Sequence, residues 1–154
     1  MKNDMNQSHY GRLAAMSALS FIAMYVLMYA MVDSADDVYN NVNQAYMAGL
    51  MTAPMVVIEL SLMRSMFQNT RLNVLIAATP VVAGIACFAL IRQQAAVTDT
   101  QFLRSMIPHH SGAILMCEEA AIRSGDVREL CKAIISSQQA EIAQMRELLR
   151  ELNR

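Results

Sequence analysis

The chain has 154 residues, of which 55% are hydrophobic and 16% charged, with a formal net charge of −1. The charges crowd the two ends and the last third, leaving long uncharged tracts, so an ordinary soluble domain is excluded in favour of membrane helices plus a small polar part. Near-neutrality and the lack of a basic run argue against a nucleic-acid partner.

In chain order, a short polar start leads into Leu13 to Val32, a twenty-residue run without charge that is long enough to cross ~30 Å of hydrocarbon. A cleaved signal peptide is the competing reading, but the run exceeds a usual signal core and further spans follow. Residues 33–44 form a polar loop with three aspartates and no Lys or Arg. Residues 45–67 give a second span, weakened by Pro54, Glu59 and Arg64. An ionisable group such as Glu59 at span depth is by default a functional hypothesis. Met47, Met51, Met55, Glu59 and Met63 recur every four residues, a row that winds around a helix. It reads as packing first and as a metal path second, because Met is a flexible apolar filler. Residues 72–91 give a third span containing Pro80 and Gly84, both tolerated in membrane helices.

Lys2 and Arg12 flank the N-terminal side and Arg64 and Arg71 the second connection, whereas the first loop has no basic residue and the third span is followed only by Arg92. This bias places the N-terminus in the cytoplasm. Residues 1–92 are then a membrane domain, and residues 93–154 an extracytoplasmic domain, periplasmic in a bacterial inner membrane.

The last stretch reads as two helices. Thr98 and Gln101 have capping-box spacing, Pro108 is expected to kink or restart the first helix, and Ser124-Gly125 is expected to stop it. Asp126 with Glu129 then signals the second helix, so the two fold back as a tight hairpin. Facing residues across that hairpin are expected to be Cys117 with Cys131, His110 with Gln138, Met106 with Glu141 and Leu103 with Met145. Gln138 and Glu141 interrupt an apolar stripe, and a carboxylate there needs a partner across the hairpin. Cys117 and Cys131 are disulfide candidates in an oxidising compartment, with buried thiols or metal-bound thiolates as the alternatives. Cys87 reads as packing within the third span.

Met106, His109, His110 and Met116 share one side of the first helix. Imidazole and thioether suit Cu(I) and similar soft ions, although a His or Met on an apolar stripe is equally read as core packing.

The motifs Asp99-x-x-Phe102, Met106-Ile-Pro-His109-His110-x-x-Ala113-x-x-Met116 and Gln138-x-x-Glu141-Ile142-x-x-Met145 resemble the signature of the domain of unknown function 305 family, over roughly residues 95–152. Tyr46-Met47 and Ala53-Pro54-Met55 are similar to its multi-span form. The resemblance implies a ferritin-like four-helix bundle built from helical hairpins, with copper or silver bound outside the cytoplasm by Met and His. It implies Met106, His109, His110, Met116 and Met145 as ligands, with Gln138 and Glu141 orienting imidazole N–H groups. Cys117 departs from the small residue usual after Met116, which puts the site or the hairpin closure in question.

The expected protein is therefore all-α, three transmembrane helices followed by a two-helix hairpin that dimerises into a bundle. Its expected role is binding of Cu(I), with silver as a mimic, for sequestration or handover to a copper-delivery partner. A homodimer is expected because a hairpin this small leaves its apolar stripe uncovered. The alternative is a dimerisation module with a buried His-Glu layer and no metal. An enzyme of the di-metal carboxylate kind is not expected, since no Glu-x-x-His pair exists.

Overall fold

The structure, a computed structural model, describes residues 2–67 and 69–154. These residues are all-helical: α1 (Lys2–Leu27), α2 (Val42–Leu62), α3 (Thr70–Gln93), α4 (Asp99–Glu119) and α5 (Gly125–Leu152), with no strand among them. The chain divides into two compact units, Met1–Leu27 with Asn43–Ala95, and Met28–Val42 with Ala96–Arg154.

The first unit follows from apolar composition. His9–Met31, Val42–Leu62 and Thr70–Gln93 are each long and apolar enough to cross a membrane, with mean hydropathies of 1.9, 1.5 and 2.5. At ~1.5 Å per residue each spans more than ~30 Å. Leu19, Ile22, Val26, Val74, Val82 and Ile85 remain exposed on it, a surface that water does not favour. Inside it, Leu13, Val56, Leu60 and Phe67 form a cluster, and Tyr10 donates to Asn73 Oδ1 at 2.6 Å. A Cβ on Gly84 would lie 3.1 Å from that of Ala53, so glycine lets these two helices approach closely.

The second span, expected to run through Phe67, ends as helix at Leu62. Phe67 turns back into the cluster, its ring 5.1 Å from that of Tyr10, and Asn69 caps α3 by accepting from the Leu72 N–H. The methionine row winds as its spacing demands: Met47, Met51 and Met63 are exposed, Met55 and Glu59 half-buried.

The second unit is built on α4 and α5, which share a core of Leu103, Ile107, Ile114, Ile142, Met145 and Leu149. Thr98 Oγ1 caps α4 by accepting from the Gln101 N–H at 3.4 Å. The Gln101 side chain does not return to complete a capping box; it accepts from the Val42 N–H at 3.0 Å instead. Pro108 does not restart the helix, since α4 is continuous across it. Ser124 and Gly125 do not stop α4 either. That helix ends at Glu119 with Ala120 as its C-cap, and Ser124 and Gly125 are the N-cap and first residue of α5. The connection is thus a five-residue link, Ala120 to Ser124, and Asp126 belongs to the first turn of α5, where a carboxylate favours the helix dipole.

The first span, expected to run to Val32, ends as α-helix at Leu27, and residues 28–32 join the loop expected after it in a third layer of this unit. Met28–Met31 and Ala35–Asp37 form short 3-10 turns that contact α4. Ser111 is fully buried and its Oγ accepts from the Asp33 N–H at 3.0 Å. Gly112 admits the same segment: a Cβ there would meet the Met31 carbonyl oxygen at 3.1 Å. Tyr29 donates to the Tyr39 carbonyl at 2.7 Å, and Asp37 closes the layer onto α5 through Arg146 at 2.7 Å.

Candidate functional site

The chemistry-bearing side chains concentrate on α4 and α5. Steps of four and three residues bring Leu103, Ile107, His110, Ile114 and Cys117 to the side of α4 that meets α5. His110 is buried in that layer, and both of its ring nitrogens are engaged. Nδ1 lies 2.9 Å from the Met106 carbonyl oxygen, which can only accept, so Nδ1 carries a proton and donates. Nε2 lies 2.7 Å from Glu141 Oε2. Glu141 keeps 51% of its side chain exposed, so its carboxylate is half solvated while it holds the imidazole.

The partner of His110 is thus Glu141, one helical turn beyond the expected Gln138. Glu and Gln side chains have the same reach, so the difference is one of stagger between the two helices, which brings Glu141 rather than Gln138 to His110. Nearer the link the expected level holds, and Cys117 is disulfide-bonded to Cys131 with a Cα–Cα distance of 5.2 Å. That separation lies within the usual ~4.4–6.8 Å.

The five residues considered as ligands part company here. Met145 lies in the core and Met106 packs against it half-buried. His109 is exposed, its ring centroid 6.0 Å from that of His110, and Met116 is 59% exposed. Gln138 is half-buried on α5. No group of three or more His, Cys, Asp or Glu side chains able to hold a metal comes together among the described residues. Whatever soft-donor set one chain offers must therefore rely on thioethers, and its accessible members are His109 and Met116.

Sequence reasoning missed the buried ion pair. Asp37 is only 7% exposed in its side chain, Arg146 is 34% exposed, and the two are 109 residues apart, so no local pattern links them. Ser111-Gly112 did carry a signal. Glycine in a helix interior costs about 1 kcal/mol relative to alanine, and a small pair there marks a close backbone approach.

The chain is 38% identical over 135 residues to an uncharacterized protein of Acanthamoeba polyphaga mimivirus, a match covering 86% of this chain and 87% of that one. No solved structure matches it. Residues 28–149, from the layer over α4 to the last core leucine of α5, match the family described as Domain of unknown function (DUF305), and the chain belongs to that family.

Proposed function

We propose that the protein is a membrane-anchored binder of soft metal ions, Cu(I) foremost, that sequesters or hands on the ion outside the cytoplasm. The observation that carries this is a single uncharged row on α4 bearing Met106, His109 and Met116, with His109 and Met116 open to solvent. Imidazole and thioether donors in that company favour Cu(I) and Ag(I) over hard cations. Three apolar helices supply the anchor, and the Lys and Arg bias sets the helical hairpin on the far side from the N-terminus. Two such hairpins form a ferritin-like four-helix bundle in a homodimer. His110 joins the ligand set only by releasing Glu141, and Met145 only by leaving the core.

Titration of the full-length protein in mild detergent against a chromophoric Cu(I) chelator tests this. The protein should withdraw Cu(I) from the chelator, and His109→Ala should weaken it at least ~10-fold, the loss of ~1.4 kcal/mol. Failure of the unaltered protein to compete overturns the metal reading.

One observation favours a second reading. Both ring nitrogens of His110 are satisfied without metal, so the inner layer works by itself as a polar device that fixes how α4 and α5 pack. A dimerisation module with no metal then remains, and the same titration separates the two.

A further inference from the structure

Helix α4 carries two parallel seams. The inner one faces α5. The outer one, Phe102, Met106, His109, Ala113, Met116 and Ala120, repeats the same alternating steps of four and three. Phe102, His109, Met116 and Ala120 are exposed, Met106 and Ala113 half-buried, and none of the six bears a fixed charge. On the same edge of α5, Leu130, Leu148 and Leu152 are exposed, with the half-exposed Glu141 that holds His110 between Leu130 and Leu148. At ~100° per residue, with the helices antiparallel, both outer rows fall on one side of the pair. That side is opposite the one where Met31 and Asp33 cover Gly112 and Ser111. Two adjacent apolar seams on one helix are the pattern of a helix with more than one helical neighbour.

Building on the soft-metal reading, we propose that a second copy of this chain covers this face, its α4 antiparallel and centred at the level of Ser111. Each ion is then held by Met106 and His109 of one copy and by the partner's Met116.

The side-chain sizes select this occupant and this register. Antiparallel pairing about Ser111 sets Phe102 against Ala120, His109 against Ala113 and Met106 against Met116, all positions of one seam. Large meets small in two of the layers and thioether meets thioether in the third, so every layer fills. A parallel, in-register pair would stack Phe102 on itself and Ala113 on itself, crowding some layers and emptying others, both of which cost stability. The row is uncharged, so a copy of itself meets no like-charge repulsion. A two-fold axis through the centre makes the contact self-complementary and closed, and duplicates the site. Met106 and His109 are neighbours on one helix turn, and the partner's Met116 arrives at the Met106 level. The resulting nitrogen and two sulfurs form a soft set that one chain lacks.

Complementation between two full-length chains tests the sharing. One carries Met116→Leu, the other Met106→Leu with His109→Ala, and different tags allow the mixed dimer to be isolated in mild detergent. Each variant alone should lose Cu(I) uptake from the chelator, whereas the mixed dimer, which reunites one complete set, should recover half the wild-type capacity per dimer. A mixed dimer with no capacity, or no mixed dimer at all, overturns the shared site. Docking is read without metal by co-producing His109→Cys and Ala113→Cys chains, both with Cys87→Ser, and oxidising mildly. If they crosslink while the wild type takes no Cu(I), the interface stands and the metal reading falls. If the wild type takes Cu(I) and they do not crosslink, the interface falls and the metal reading stands.

Discussion

His109 and His110 are adjacent in sequence and should behave as opposites when removed. The His110 side chain is 10% exposed, and it bonds the Met106 carbonyl and Glu141. In His110→Ala the Met106 carbonyl loses only a secondary acceptor role in an already helical turn, about 0.5 kcal/mol. The Glu141 contact, half solvated on the carboxylate side, contributes no more than about 1 kcal/mol. Loss of ring packing and the residual cavity between Ile107 and Ile114 add about 1–2 kcal/mol. The sum, about 1.5–3.5 kcal/mol, should appear as faster amide exchange across α4 and α5 and a lower thermal midpoint in detergent. Cu(I) uptake at temperatures where the variant stays folded should be kept. His109→Ala removes an exposed side chain and should change stability by less than about 0.5 kcal/mol. Its effect should fall on the metal. The reasoning is refuted if His110→Ala abolishes Cu(I) uptake while folded and His109→Ala leaves uptake unchanged.

The Asp37–Arg146 pair should respond asymmetrically: Arg146→Ala strands a buried carboxylate and should cost about 3–4 kcal/mol, whereas Asp37→Ala strands a partly solvated guanidinium and should cost about half as much. Equal, small losses in unfolding midpoints would show that segment Met28–Val42 does not depend on the pair. Reduction of the Cys117–Cys131 bond, which spans a sequence separation of 14, should destabilise the second unit by about 3 kcal/mol through loop entropy, read as a difference in unfolding with and without a phosphine reductant. Gly112→Leu has no room beside the Met31 carbonyl and should displace residues 28–34, seen as raised hydrogen exchange in that peptide with α1 to α3 unaffected. Unchanged protection there would contradict the close approach.

The helices of the first unit could be read from the sequence because apolar length alone decides them, and only their ends depended on something else. Phe67 looked like the last residue of a span, yet burial against Tyr10 pulled it out of the helix. Asn69, a side chain that caps, moved the start of α3 to Thr70. In the second unit the apolar stripes located α4 and α5, and the carboxylate at Glu141 announced that it needed a partner. The identity of that partner was a matter of stagger between the two helices, which numbering does not give. The layer of residues 28–42 was hidden more deeply. Its first five residues are apolar and read as the end of the first span, the rest is largely polar, its turns are short, and what holds it are Ser111, Gly112 and Arg146, far away in the chain. Only Ser111-Gly112 gave a local sign, an apparent weak point inside a helix that is in fact a contact surface.

How the second unit is held together bears on what its outer rows are for. Six buried side chains make its core, and two helices alone cannot bury enough apolar surface to offset the entropy of ordering them. Small folds of this kind depend on staples, and this one has three: the Cys117–Cys131 bond near the link, the Asp37–Arg146 pair farther along α5, and the segment docked on Ser111 and Gly112. All three act between α4 and α5 or on the side of the pair away from these outer rows. None draws on Phe102, His109, Met116, Leu130 or Leu148, which stay exposed at a cost in solubility that the fold itself does not require. A row that stabilises nothing within its own chain, yet keeps seam spacing and carries two accessible soft donors, is best explained by what approaches it from outside.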